Sequence, residues 1–260
     1  MLGAAEVGML QALVERDVVP DLVVGSSVGA INGALLAVDP SPAGVARLSE
    51  AWAKISGRRI FTGSLWDQVG NLVRHGTYLH TNDGLRTLLD DELGPAEFAD
   101  LRVPFECVAA CIERAEAHWF SSGPVVPAVL ASCAVPGLLP AVELDGEHFV
   151  DGGLVRSVPV GRAAQRGARR IFVLHVGRIE ANLRPPTNPW EVALLSFEIA
   201  RRHHFAEEVA LLPEHVELHV LPAGSSAPAL SLRYRSFSEI TDRIDAARTA
   251  TGSYLDRAGI

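Results

Sequence analysis

Lysine is almost missing from this chain: of 23 Lys and Arg residues, Lys54 is the only lysine. We read the arginine excess as a bias of the coding sequence and attach no function to it. The shortage of positive charge relative to negative says more. Asp and Glu number 31, the formal net charge is -8, and the pI is near 5.6. Nucleic acid needs a basic face to neutralise its phosphates, and strong electrostatic docking on anionic membrane needs clustered Lys and Arg, so the composition argues against both. Cysteine is sparse too. Cys107, Cys111 and Cys133 form an odd set without a CxxC pair, which argues against a disulfide framework or a zinc site. Cys107 and Cys111 lie in an apolar run and read as small core residues. No apolar run reaches the length of a membrane span, and no basic-then-apolar secretion pattern stands at the start. The expectation is a reduced, cytoplasmic protein.

What is present is an ordinary globular composition, 48% hydrophobic and 21% charged over 260 residues. This fits a single α/β domain over 1–260 with a substantial core. Helical periodicity is predicted over 3–16, from Ser27 to about Val38, on to about Ile55, from Asn82 (as N-cap) to about Leu93, and over 125–134, 160–166, 190–212 and 237–255. Strands are predicted over 22–24, 103–112, 117–121, 171–176 and 216–221, with a hairpin turning at Asp145-Gly146. Strands separated by helices predict a three-layer α/β/α fold with a mostly parallel sheet. The stretch 57–82 is less regular; apolar positions over 65–73 fit one helical face, and a packed excursion is favoured over a flap. Small residues recur in two helices. Gly3, Ala4, Ala5 and Gly8 point to close approach of another segment, and Gly33 points to a helix pressed on the sheet.

One stretch carries chemistry. The apolar run Leu22-Val23-Val24 ends in Gly25-Ser26-Ser27-Val28-Gly29, the pattern of a nucleophile elbow, in which a strained strand-to-helix turn exposes a serine hydroxyl. Gly25 and Gly29 are expected to avoid clashes around Ser27, and the following helix to aim its free N–H groups where an oxyanion would form. A serine hydroxyl needs a base within hydrogen-bond reach. The late histidines His175, His203, His204, His215 and His219 could complete a Ser–Asp–His order. That plan needs several strands before the serine, yet only 26 residues precede Ser27, so it fails on topology. A carboxylate acting directly is the other design. Asp151, at a strand end and followed by Gly152-Gly153, is the best candidate, although Asp-Gly is also a common turn dipeptide. His148, three residues before Asp151, reads as a strand-surface residue in preference to one near the site, and Arg201-Arg202-His203-His204 as a solvated helix face in preference to an anionic head-group contact.

Taken together, these motifs resemble those of the patatin-like phospholipases. Gly25-Ser26-Ser27-Val28-Gly29, extended by Ala30-Ile31 and Gly33, matches that family's serine motif; Asp151-Gly152-Gly153 matches its aspartate motif. Between them, Ala131-Ser132-Cys133-Ala134-Val135-Pro136-Gly137 and Leu139-Pro140 resemble its small-residue and proline block. The likeness runs over about 3–176 and leaves the helix-rich part, 177–260, undiagnosed. The resemblance implies a three-layer α/β/α fold and hydrolysis of lipid acyl esters without metal or cofactor. It also implies Ser27 as nucleophile, Asp151 as base, the Val28 N–H as an oxyanion donor, and transient contact with a membrane surface.

The family also carries a strand and a Gly-Gly-x-Arg/Lys-Gly loop that complete the oxyanion hole. Here its last glycine alone corresponds, as Gly3, with Leu2 where a basic residue often stands. One oxyanion donor is worth about 10²–10³ in rate. The first strand is therefore expected to be truncated, and a weakly active or non-catalytic lipid-binding protein, or an acyltransferase, stands as the alternative. In-frame coding upstream of Met1 for an apolar run and glycines is the expected DNA sequence; a stop codon directly before Met1 would exclude it.

Overall fold

The computed structural model describes residues 3–57, 77–175, 183–186, 189–224 and 237–260. The helices are α1 (Ala4–Val14), α2 (Val28–Val38), α3 (Pro42–Gly57), α4 (Asp83–Leu93), α5 (Val125–Ser132), α6 (Val160–Gln165), α7 (Pro189–Ala210) and α8 (Phe237–Ala258). The strands are β1 (Val23–Ser26), β2 (Phe105–Cys111), β3 (Glu116–Phe120), β4 (Val142–Leu144), β5 (Glu147–Asp151), β6 (Arg170–Leu174) and β7 (Glu217–Leu221). The predicted excursion over 57–82 lies outside the described residues apart from its two ends, and so does its helical face over 65–73.

Strand β2 is the spine. It pairs in parallel with β1 over Phe105–Val108, and antiparallel with β5 over Ala109–Cys111. Strand β3 runs antiparallel along Cys107–Cys111. Because β3 overlaps the register of both β1 and β5, it must occupy one edge of β2 while β1 and β5 share the other. β1 and β5 therefore meet head-on: Ser26 is opposite Val108, and Asp151 is opposite the next residue, Ala109. In place of one mostly parallel sheet, the described residues form two: a mixed five-stranded sheet with the parallel pair β1–β2 and antiparallel pairs β2–β3, β2–β5 and β4–β5, and a separate parallel pair β6–β7. The physical reason is loop length. β2–β3 and β4–β5 are joined by short turns, which only antiparallel strands can use. The turn at Asp145-Gly146 has φ of 52° and 81°, the left-handed pair that tight hairpins require.

Alternation along β2 divides the layers. Phe105, Cys107, Ala109 and Cys111 enter a large core shared with α1, α2, α3, α4, α5 and α8. On the opposite face Glu106, 3% exposed, pairs with Arg162 at 2.5 Å and Arg166 at 2.8 Å, both presented by the α6 end. The near-continuous apolar character of 103–112 hides this buried charge, which is tolerated because two guanidiniums meet it. A smaller core joins α6 and α7 to β6 through Val160, Phe205, Ile171 and Val173. The result is the α/β/α sandwich expected from the alternating pattern.

The small residues have the packing reasons expected of them. A Cβ at Gly8 would stand 2.1 Å from the Ile244 carbonyl oxygen, so α1 and α8 touch backbone to backbone. At Gly33 it would meet the Phe105 ring at 2.9 Å and Val23 at 3.0 Å, on the two strands beneath α2. The helix at 82 begins as expected with Asn82 as N-cap, but its backbone carbonyl, not its side chain, takes the Arg86 N–H, at 2.8 Å. Intrinsic propensity would make Gly8→Ala stabilising by about 1 kcal/mol. A rigid carbonyl in the way outweighs that, and we expect a net loss of about 1–3 kcal/mol. A fall in the urea midpoint at constant m-value checks this.

Candidate active site

Strand β1 ends at Ser26 and α2 begins at Val28, leaving Ser27 alone at the turn with φ 53° and ψ -123°. A non-glycine residue held there costs on the order of 1–3 kcal/mol and persists only if its surroundings over-determine it. They do. The Ser27 N–H donates to Ser132 Oγ at 3.0 Å, and the Cys133 thiol donates to the Ser27 carbonyl at 3.0 Å. The Ala30 N–H reaches the same carbonyl at 2.8 Å. The end of α5 therefore grips the elbow on both sides. Gly25 is required by crowding, since a Cβ there would lie 2.5 Å from the Gly29 carbonyl oxygen. Gly29 departs from expectation: a Cβ there would meet nothing within 4 Å. It sits within the first turn of α2, where the chain already turns away from the strand, and none of the described residues crowds it.

Asp151 is the last residue of β5 and is fully buried. Its Oδ2 accepts a hydrogen bond from Ser27 Oγ at 2.5 Å, and its Oδ1 accepts from the Gly153 N–H at 2.7 Å. Its own N–H donates to the Ala134 carbonyl at 2.9 Å, so the segment that grips Ser27 also holds Asp151. Both following glycines are close contacts. A Cβ at Gly152 would lie 2.1 Å from the Val108 carbonyl oxygen; one at Gly153 would be wedged at 2.9 Å from both Asp151 Oδ1 and the Phe197 ring. Burial pushes the Asp151 carboxyl up to about 6, while the bonds from Ser27 and Gly153 and the charge of Arg201 pull the other way. A hydroxyl aimed at a buried carboxylate can pass its proton directly to that carboxylate.

Gly3 and Val28, expected near the oxyanion position, are neighbours: a Cβ on Gly3 would stand 2.5 Å from Val28 Cγ2 and 2.3 Å from the Trp52 ring. Val28 is the first residue of α2, where helical N–H groups have no partner one turn earlier. His148 is half exposed and bonds Glu113 through Nδ1 at 2.7 Å. Alternation along β5 puts it on the face opposite Phe149 and Asp151. The solvated-face reading of 201–204 fails for its first two residues. Arg201 and Arg202 are only 16% and 17% exposed and both pair with Glu198, while His203 is 69% exposed. Arg201 also meets His175 Nε2 at 2.8 Å and Ser157 Oγ at 3.4 Å, which draws it inward. Sequence reasoning missed the parts played by Phe197, Arg201, Ser132 and Cys133. For the last two the signal was the small-residue block itself, whose partner lies 105 residues away in sequence. Among the described residues no group of three His, Cys, Asp or Glu is placed to hold a metal, and no helix is long and apolar enough to cross a membrane.

This is an α/β/α protein with a serine–carboxylate pair at a strand–helix elbow. Residues 1–164 match the family model described as patatin-like phospholipase, and the chain belongs to that family. It is 32% identical over 180 residues to lysophospholipase nte1 of Emericella nidulans, covering 69% of this chain and 11% of that protein. It is 32% identical over 190 residues to the patatin-like phospholipase domain-containing protein ZK370.4 of Caenorhabditis elegans, covering 68% of this chain and 13% of that one. The chain therefore spans a small fraction of the length of the curated relatives it matches. Among solved structures, VipD from Legionella pneumophila overlays with a TM-score of 0.49 at 15% identity, covering 98% of this chain and 65% of that one.

The buried carboxyl has a consequence for stability. Asp151 has its ordinary pKa of 3.8 when unfolded and about 6 when folded, so the folded state binds the proton more tightly. Its contribution is intact below about pH 4 and is lost as pH rises through about 6. Asp151→Asn should therefore melt a few degrees above wild type at pH 8, with the margin shrinking toward pH 4. Thermal unfolding at the two pH values measures it.

Proposed function

We propose that this domain hydrolyses carboxylic esters of lipids, with Ser27 as nucleophile and Asp151 as its base. The observation that carries the proposal is the 2.5 Å hydrogen bond from Ser27 Oγ to a fully buried carboxylate. Membership of the patatin-like phospholipase family supports the substrate class. The name of the fungal relative makes a lysophospholipid the first natural substrate to test.

In this mechanism Ser27 Oγ attacks the acyl carbon as its proton passes to Asp151. The developing oxyanion is met by the Val28 N–H at the positive end of α2 and by the backbone at Gly3. Collapse of the tetrahedral species expels the alcohol, which takes the proton from Asp151. Water, deprotonated by Asp151, then attacks the acyl-Ser27 ester; the acyl carbon–Oγ bond breaks, Ser27 Oγ recovers the proton from Asp151, and the fatty acid leaves.

Ser27→Ala should abolish labelling by a fluorophosphonate and lower ester turnover about 10³-fold or more. Labelling that persists in Ser27→Ala would remove Ser27 from the mechanism. Because Asp151 must be ionised to accept the proton, kcat/KM should rise with pH through about 6 and then level off. A profile flat between pH 4.5 and 8 counts against Asp151 as the base.

A further inference from the structure

A second buried polar cluster lies behind the elbow. Asn32, 2% exposed, stands one turn into α2 beyond Val28. Its Nδ2 donates to the Gly3 carbonyl at 3.0 Å and to Glu6 Oε2 at 2.6 Å, and its Oδ1 accepts the Trp52 indole N–H at 2.7 Å. Glu6 and Trp52 are each 4% exposed. One amide thus joins α1, α2 and α3, using both donors and its acceptor. Gly3 is caught between the Trp52 ring and the Val28 side chain, with no room for a Cβ on either side.

Such a cluster is expensive for a core. Each buried polar group gives up its water, and the net gain from the hydrogen bond that replaces it is small. Burial indeed pushes the Glu6 carboxyl up to about 7, against the pull of its bond from Asn32. What the cluster provides in return is direction. Packing alone would let α1 slide against α2, whereas the bond to the Gly3 carbonyl holds that peptide at one distance from the start of α2.

We infer that Asn32, oriented by Glu6 and Trp52, is a positioning residue that holds the Gly3 backbone beside Val28, where an oxyanion would be bound. The inference rests on the ester-hydrolase reading for its catalytic meaning, but the tie itself is a property of the fold. Glu6 keeps the Asn32 amide nitrogen turned toward α1, and Trp52 keeps its carbonyl turned toward α3. A displacement of the kind that follows loss of such support lowers kcat more than it alters KM, because oxyanion contacts strengthen only in the transition state.

The test uses the 260-residue chain and a short-chain p-nitrophenyl ester, with amide hydrogen exchange measured on the same samples. Asn32→Ala and Glu6→Ala should each lower kcat about 10- to 100-fold with KM within about twofold. Glu6→Gln, which still offers an oxygen to Asn32, should restore kcat to within about threefold of wild type. Peptides covering 3–10 should exchange at least about tenfold faster in Asn32→Ala, while those covering 125–132 should not change. Unchanged exchange over 3–10 overturns the tie. Faster exchange with kcat at the wild-type level, in a chain whose Ser27→Ala variant is inactive, overturns its positioning role. A wild-type chain that turns over no ester but shows the exchange difference keeps the tie and counts against the Ser27–Asp151 reading instead.

Discussion

The site depends on one edge of one strand. β1 and β5 approach from opposite ends along the same side of β2, and they stop at adjacent register positions, Val108 and Ala109. Had either strand run one residue further, the other would have been displaced along the ladder. Because they stop there, the residue after β1 and the last residue of β5 are brought within hydrogen-bond distance across 124 positions of sequence. The parallel pairing of β1 lets it lead straight into α2, while the antiparallel pairing of β5 lets its terminal side chain face that turn. A purely parallel sheet would have placed both strand ends on one side but kept them a strand width apart.

The price of this arrangement is strain and desolvation, and the end of α5 is where both are offset. Ser27 has a backbone conformation costing on the order of 1–3 kcal/mol. Hydrogen bonds from Ser27 to Ser132 and from Cys133 and Ala30 to the Ser27 carbonyl each contribute about 0.5–1.5 kcal/mol, enough to hold it. The same segment accepts the Asp151 N–H through Ala134. A single helix end therefore sets the distance between the two reacting groups, and small residues there let both strand ends come close. Asp151 remains the costly member, a carboxylate without solvent whose charge is eased by two hydrogen bonds and by the more distant Arg201.

The shell around this centre divides its work. On one face α1 and α3 pack on α2 and α8 packs on α1 and α3, with Gly8 allowing α1 and α8 to touch backbone to backbone. On the other face α7 lays Phe197 against Gly153 and directs Arg201 inward, so the part of the chain without family motifs still closes over the aspartate turn. The paired Glu106, Arg162 and Arg166, with Arg162 stacked 4.9 Å over the Trp119 ring, fasten α6 to the sheet beneath.

Much of this was legible in the residues. Periodicity located the described helices and strands to within a few positions, Asp145-Gly146 announced its hairpin, and Gly25-Ser26-Ser27-Val28-Gly29 marked a strand–helix elbow, since turn chemistry and hydrophobic period are local properties. Asp151-Gly152-Gly153, a carboxylate at a strand end followed by two glycines, marked the acidic partner in the same local way. What the residues alone left open depended on strand register and on contacts between distant segments. The antiparallel share of the sheet, the grip of Ser132 and Cys133 on Ser27, the buried Glu106, the inward turn of Arg201 and the Asn32 cluster are all of this kind. A buried Glu or Asn looks like any polar residue in sequence; only when three helices converge does it become clear that its hydrogen bonds have nowhere else to go.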